Sequence, residues 1–486
     1  MAERTAIPTT ARVVATNTLW GASGRLFGGF FAIVALAVIS RTLGPEQYGE
    51  YATALAFFYI FSAIADLGIY QVLIRDLGKP NQNEPQIIGT AFTIRIIAVS
   101  AALAIGLLVF WAIPKYTDIH SFGILAAIVY LPLSLGQIFM AVFQKHLAVR
   151  YAALIELFSR GIQVVGVIWL ASIAITTAKP FLLVLLSATI IQTVLLAIWA
   201  RKLTPIRLGL GGAKNMLQSA LPVGIALIFT LIYFRLDTVL LSLFQESEAV
   251  GIYNLAYKVL EQFIFLPAMF LGVLTPILSR AFSEDREKFR HITRNAAKAL
   301  LIAITPILIG GWFLREQVIL LLGGSEYQAA ADPLAPLLLA VALIFAGTLL
   351  GALVVICDRQ KKALWVYAGA MVVSVCLNIL FIPKYSYMGT AWTTVATEVL
   401  VVGGLYWILR GSGASFRFPF WPHIIFAGGI MALPLFWANT LTGAVGVVAS
   451  LLVYLFICPI IYFGALFMLK AIRVKEVRAL LSRDGA

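Results

Sequence analysis

The chain has 486 residues, 61% hydrophobic and 12% charged, with a mean hydropathy of +0.95. A soluble domain holds roughly 45–50% apolar and about 25% charged residues, so this composition excludes a soluble enzyme and leaves no stretch for a soluble catalytic domain. The net charge of +14 arises from 36 Lys and Arg against 22 Asp and Glu; in a polytopic membrane chain such an excess belongs mostly to the inside loops, so no nucleic acid partner is implied.

At about 35 residues for each span with its connection, the length accommodates about 14 transmembrane helices. The first apolar run, 15–40, follows Arg4 and Arg12, contains Arg25 and is too long for a cleavable signal. Within it, Trp20-Gly-Ala-Ser-Gly24-Arg25-Leu-Phe-Gly28-Gly29 places an arginine among small residues, and Gly24 and Gly28 form a step that lets helices approach closely. Span 50–74 carries Asp66, span 88–113 carries Arg95, and span 152–175 carries Glu156 and Arg160 four residues apart; spans 121–144 and 181–200 have no charge inside them. Span 218–243 holds Arg235 and Asp237, and span 252–279 holds Lys258 and Glu261. Beyond these come 295–314 with Lys298, 333–357, 364–382, 389–409 with Glu398, 423–441 and 444–468. Prolines at 132, 222, 267, 276, 306, 336, 434 and 459 fall within these spans, where each removes a backbone hydrogen bond and can kink a helix.

The basic residues set the orientation. With the N-terminus inside, the outside segments hold only Arg41, Lys115, Lys179, Arg315 and Lys384, six basic residues lie within spans, and the other 25 are inside. That asymmetry strongly supports an even number of spans with both termini in the cytoplasm. The tail from Leu469 to Arg483 reads as an amphipathic helix on anionic headgroups, with a solvated positive face as the alternative; a second basic stretch runs from Ser283 to Lys298. Cys357, Cys376 and Cys458 lack metal-ligand spacing and read as reduced packing residues, and no cofactor or metal is expected.

A short pattern recurs. Glu46-Gln-Tyr-Gly49-Glu-Tyr51-Ala-Thr-Ala54 and Glu248-Ala-Val-Gly251-Ile-Tyr253-Asn-Leu-Ala256 both read E-x-x-G-x-Y-x-x-A, 202 residues and six spans apart. Because six is even, both copies share one orientation, as in two bundles related by an axis along the membrane normal. The expected organisation is therefore an N-terminal lobe at 1–210 (spans 1–6), a C-terminal lobe at 211–410 (spans 7–12), and 411–486 as two additional spans with the basic tail. The fold class is an all-α polytopic membrane protein whose two pseudo-symmetric lobes enclose a central cavity.

An ionised side chain near the bilayer centre costs about 2.5–3.5 kcal/mol even on insertion scales, so the charges within spans should face protein or a watery cavity. In the first lobe, Arg25 lies 16 residues before Arg41 and Asp66 lies 16 residues after Glu50, which puts the two at similar depth on adjacent helices and makes them a candidate pair. With Arg95, Glu156 and Arg160 they sit roughly 6–15 Å from the cytoplasmic edge. Three arginines against two carboxylates leave one excess positive charge, and the planar guanidinium fork suits phosphate oxygens, so Arg25, Arg95 and Arg160 are the diphosphate candidates. Charges that only pin helices together explain the set equally well. In the second lobe, Arg235, Asp237, Lys258 and Glu261 read as pairing or gating charges, with Asp237 expected opposite Lys258 across the helix hairpin. Glu398 sits near the midplane, where a carboxyl could carry a coupling proton or bond a neighbouring helix.

Ser40-Arg-Thr-Leu-Gly-Pro-Glu-Gln-Tyr-Gly-Glu-Tyr51 with Ile64-Ala-Asp-Leu-Gly-Ile69 and Arg75 resembles the opening of the polysaccharide repeat-unit flippases, the Wzx-type members of the multidrug/oligosaccharidyl-lipid/polysaccharide (MOP) exporter superfamily. Arg235-Leu-Asp237 with the Gly251-x-Tyr253 loop, and Asn378-Ile-Leu-Phe-Ile-Pro383-Lys-Tyr385 running into Met388-Gly389-Thr-Ala391, are similar to that family too. The third motif departs from the family at Ser386, where glycine is common. The resemblance implies 12 to 14 helices in two lobes and alternating-access movement of an undecaprenyl-diphosphate-linked oligosaccharide across a prokaryotic cytoplasmic membrane. It also implies, as partners, the glycan polymerase and glycosyltransferases of the same pathway. A peptidoglycan-precursor flippase or a multidrug exporter of the same fold is the nearest alternative. A membrane glycan polymerase or ligase is an alternative of another class, against which stand short outer loops, the longest running from about Arg315 to Asp332 without histidine.

Overall fold

The computed structural model describes residues 6–80, 82–410, 421–437, 442–443 and 446–471. Among them every regular element is helical. In chain order these are α1 (Ala6–Asp66), α2 (Ile69–Leu77), α3 (Glu84–Ala112), α4 (His120–Lys145), α5 (Val149–Ser172), α6 (Ala178–Leu203) and α7 (Ala213–Phe244). There follow α8 (Ser247–Glu284), α9 (Arg286–Phe313), α10 (Arg315–Gly323), α11 (Ala331–Ile356), α12 (Gln360–Leu409), α13 (Trp421–Leu435) and α14 (Val447–Met468). Ten are long and apolar enough to cross a membrane by length and composition, and the chain is a multi-pass membrane protein.

Two of the ten each take in two of the expected spans, although the second, 50–74, breaks at Leu67-Gly68 and ends in α2. Within α1 the backbone leaves helical geometry at Gly44 (φ 69°, ψ 172°), and Pro45, which has no N–H to donate, begins the next helical stretch. Within α12 the break falls at Ser386 (φ 50°, ψ −136°). With α7 and the shorter α13, each of the fourteen expected spans has a helical counterpart. The eight prolines named above all lie inside helices. The segment after Arg315, expected outside, is folded into α10 and a 3₁₀ turn over Ser325–Ala330, with Tyr327 buried.

Ser386 occupies a positive φ that side chains with a Cβ disfavour, at the position where the resembled family carries glycine. Ser386→Gly is therefore expected to stabilise the protein by about 1 kcal/mol, seen as a raised thermal unfolding midpoint in detergent. An unchanged or lowered midpoint would reject strain at this break.

The chain separates into two compact units, Met1–Gly251 and Ile252–Ala486. In the first, one core joins α2, α3, α4, α5, α6 and the start of α7 through Ile69, Leu73, Ile88, Phe139, Phe143, Ile155 and Leu196. In the second, α13 and α14 pack on α9: Ile424, Met431, Tyr462 and Leu466 form a buried cluster against Leu301 and Ile309, and Tyr462 Oη donates to the Ile302 carbonyl at 3.0 Å. The basic stretch after Ser283 continues span nine as helix. Asp285 caps α9, its Oδ1 accepting from the Glu287 and Lys288 amides at 2.9 and 3.0 Å, and Arg286, Lys288, Arg290 and Arg294 are exposed. The tail expected as an amphipathic helix lies outside the described residues beyond Ala471.

The repeated motifs meet. A Cβ built on Gly49 would stand 1.7 Å from the Ser247 carbonyl oxygen, and one built on Gly251 would stand 2.0 Å from the Pro45 carbonyl oxygen. Ser247 precedes Gly251 by the same four residues that Pro45 precedes Gly49, so the contact is reciprocal, as an isologous pairing requires. It lies within the first unit.

Candidate functional site: a polar cavity in the first unit

A cavity of about 620 Å³ opens among α1 to α6. Its wall includes Asp66 from α1, Arg95 from α3, and Glu156 with Arg160 from α5, so four of the five charges that depth alone grouped together face one space. The Arg25 side chain lies outside the described residues. Uncharged polar groups complete the wall: Tyr59 and Ser62 of α1, Tyr70 and Gln71 of α2, Tyr130, Ser134 and Gln137 of α4, and Gln192 and Thr193 of α6. Burial of these groups in an otherwise apolar bundle is what lets a membrane-spanning chain hold a hydrophilic ligand.

Two ion pairs organise the wall. The first joins Arg95 Nη1 to Asp66 Oδ1, with Arg95 only 1% exposed. The same guanidinium donates through Nη2 to Gln137 Oε1 at 2.6 Å and through Nε to the Ser134 carbonyl at 3.4 Å. Depth had matched Asp66 with Arg25, whose side chain lies outside the described residues; the partner described is Arg95. The second pair is the expected i, i+4 contact on α5, with Arg160 Nη2 and Nε at 3.0 and 3.1 Å from Glu156 Oε1. This pair stays open to the cavity, the two side chains being 36% and 29% exposed. The glycine step in α1 faces it: a Cβ on Gly24 would meet Ala153 Cβ at 2.9 Å, and one on Gly28 would meet Arg160 Nε at 3.3 Å.

The remaining candidates lie elsewhere. Arg235 on α7 stacks its guanidinium over the Tyr59 ring, 5.0 Å from the centroid, and so reaches the cavity through an aromatic neighbour. Tyr59 in turn meets Tyr130 edge to face at 6.1 Å. Asp237 is buried, its Oδ1 accepting from the Thr238 amide at 2.8 Å. In the second unit Lys258 Nζ lies 2.7 Å from Glu261 Oε2, an i, i+3 pair on α8. Glu398, on the second half of α12, is 4% exposed and close enough to Tyr367 to interact electrostatically.

The second unit holds a contrasting cavity of about 350 Å³ between α9, α11 and the second half of α12. Leu300, Ile304, Phe345, Leu349 and Val402 line it, with Tyr406 at its edge. Sequence reasoning missed this space because an apolar cavity in an apolar chain leaves no mark on composition. It also missed Ser134 and Gln137, whose signal is two uncharged polar residues at i, i+3 inside a proline-bearing apolar span. The three cysteines are unbridged, and no cluster of three or more His, Cys, Asp or Glu that could hold a metal occurs among the described residues.

A polytopic helical bundle that buries paired charges around a polar cavity is the architecture a membrane transporter needs. Comparison with known proteins agrees. The polysaccharide biosynthesis protein family matches residues 14–282, and the MatE family matches residues 222–380. The first match covers more than half of the chain, which belongs to the polysaccharide biosynthesis protein family. The chain is 22% identical over 422 residues to a putative O-antigen transporter of Shigella flexneri, covering 80% of this chain and 97% of that protein. It is 24% identical over 278 residues to the uncharacterized membrane protein MJ1068 of Methanocaldococcus jannaschii, a match spanning 56% of this chain and about half, 54%, of that protein. A probable flippase, AglR, of Haloferax volcanii is 26% identical over 35% of this chain and 36% of its own length. Among solved structures, the lipid II flippase MurJ in an inward closed conformation superposes with a TM-score of 0.72 at 14% identity, over 93% of this chain and 100% of that one. An inward-facing multidrug resistance MATE transporter gives 0.62 at 13% identity, over 79% and 95%. These likenesses establish the fold, and apart from the uncharacterized MJ1068 the relatives carry the names of transporters and flippases rather than enzymes.

Proposed function

We propose that the protein is a flippase that moves a lipid-diphosphate-linked oligosaccharide across the cytoplasmic membrane by alternating access, with both termini in the cytoplasm. The observation that carries this reading is the polar cavity of the first unit, where Arg160 remains accessible on a wall of amides, hydroxyls and aromatic rings. A cavity of about 620 Å³ is large enough for a diphosphate with one or two sugar rings. The relatives named for O-antigen transport, flippase activity and succinoglycan transport support the same class of cargo. Arg160, with Arg25 from the facing helix, is the candidate for holding the diphosphate, because a guanidinium fork can engage two phosphate oxygens at once. Glu398 is the candidate for ion coupling, and the glycan polymerase and glycosyltransferases of the pathway are the partners this reading expects.

The test is the double variant Arg25→Ala with Arg160→Ala in cells that depend on this protein for their surface glycan. Export is expected to fall by more than tenfold while membrane abundance stays at the wild-type level. Normal surface glycan in that strain would remove the anion site.

A further inference from the structure

Arg95 is held by protein groups. Its guanidinium meets Asp66 Oδ1, Gln137 Oε1 and the Ser134 carbonyl, and 1% of the residue is exposed. A guanidinium has donors only, so the Gln137 amide must turn its oxygen toward Arg95. That orientation fixes the opposite end of the amide. Gln137 is exposed on the cavity wall, and its Nε2, which has no acceptor among the described residues, is left as a donor toward whatever fills the space.

Nearby is a second unsatisfied group. Ser134, one turn earlier on the same face of α4, also lines the cavity, and its Oγ is buried without a partner. A buried hydroxyl left unpaired is costly, and it can both donate and accept. Beside an amide that only donates, the complementary ligand is one whose oxygens play both roles. A sugar hydroxyl does so, whereas an ionised phosphate offers acceptors alone. The Asp66–Arg95 pair is neutral as a unit, so this part of the wall carries no net attraction for an anion.

We infer that Ser134 and Gln137 form a saccharide subsite, in which Gln137 Nε2 donates to a sugar hydroxyl and Ser134 Oγ shares a hydrogen bond with it, and that Arg95 is a positioning residue holding Gln137 as a donor. This rests on the flippase reading and divides the cargo between two sets of residues: Arg160 and Arg25 take the diphosphate, and α4 takes the sugar.

Thermal unfolding of the purified full-length protein in detergent, titrated with two probes, tests the division. One probe is undecaprenyl diphosphate; the other is the same lipid carrying the repeat-unit oligosaccharide of the cell the protein serves. Wild-type protein is expected to be stabilised by both, with half-saturation by the glycosylated lipid at about tenfold lower concentration, the worth of a well-made hydrogen bond. Gln137→Glu keeps an acceptor for Arg95, so its unliganded midpoint should stay near that of wild type, and its carboxylate can still accept from a sugar hydroxyl. Gln137→Met has neither donor nor acceptor and should lose the tenfold preference. If Gln137 serves only to satisfy Arg95, Gln137→Met will have a lowered midpoint but discriminate like wild type, and that result overturns the inference. Equal half-saturation of wild type by both probes overturns it too, as does loss of the response to both probes in Gln137→Met, which would place phosphate at this subsite. A wild-type protein that responds to neither probe rejects the flippase reading itself.

Discussion

Asp66→Ala is expected to destabilise the protein by about 3–5 kcal/mol, because it leaves the Arg95 guanidinium buried without its counter-ion. The size of the effect follows from burial. Arg95 is 1% exposed and the Asp66 side chain 13%, so water admitted from the cavity could take up the lost hydrogen bond but not balance the charge. Gln137 and the Ser134 carbonyl still accept from Arg95, but they are dipoles and do not balance its charge. The exchange of positions, Asp66→Arg with Arg95→Asp, should recover part of the loss, since it restores opposite charges at the same junction. Replacing both residues with leucine should cost far less than the single change, because desolvating two ions offsets most of what their attraction contributes. Thermal unfolding in detergent for the single and double variants forms a complete cycle. A single Asp66→Ala variant within 1 kcal/mol of wild type, in contrast, would mean that the pair is solvated and that Arg95 is free to meet the cargo.

The origin of that pairing shows how far sequence carried the site. A charge within a lipid-spanning helix has to face protein or water, and counting residues from a helix end gives its depth at 1.5 Å per residue. Those two rules brought Asp66, Arg95, Glu156 and Arg160 to one level, and they line one cavity. Depth is a single coordinate, however. Which partner Asp66 meets depends on the rotation of α3 and α4 about their axes and on which helices are neighbours, and a near-uniform apolar span such as Glu84–Ala112 has no polar face from which to read that rotation. Arg160 and Glu156 escaped the difficulty because both lie on one helix, where spacing fixes adjacency. Ser134 and Gln137 went unseen for a related reason: serine and glutamine are tolerated on many faces of a membrane helix, and only the fixed guanidinium beside them gives them a role. The fold was more legible, since each span needs its own run of about 20 apolar residues whatever its neighbours are. Even there, Gly44-Pro45 and Ser386 proved to be breaks within continuous helical stretches rather than loops, because one residue outside helical φ and ψ suffices to separate two spans.

Gly49→Ala is expected to destabilise the protein by about 3 kcal/mol, more than is usual for one added methyl group. The new Cβ would stand 1.7 Å from the Ser247 carbonyl oxygen, and backbone atoms on both sides of the contact leave no rotamer that could relieve it. The start of α8 must therefore move away from the second half of α1, disturbing the packing around buried Tyr48 and Tyr51. Gly251→Ala should do nearly the same, its Cβ falling 2.0 Å from the Pro45 carbonyl oxygen. Because each glycine opposes the segment that carries the other, a separation forced by one alanine also makes room for the second. The double variant should then cost little more than the worse single variant, a departure from additivity that two independent sites would not show. Gly272→Ala supplies the control within α8. It has nothing within 4 Å of its built Cβ, so it should be neutral or stabilise the helix by about 0.5–1 kcal/mol. Additive losses for Gly49→Ala and Gly251→Ala would show that the two glycines act separately, and the repeated motif would then be two local turns rather than one reciprocal contact.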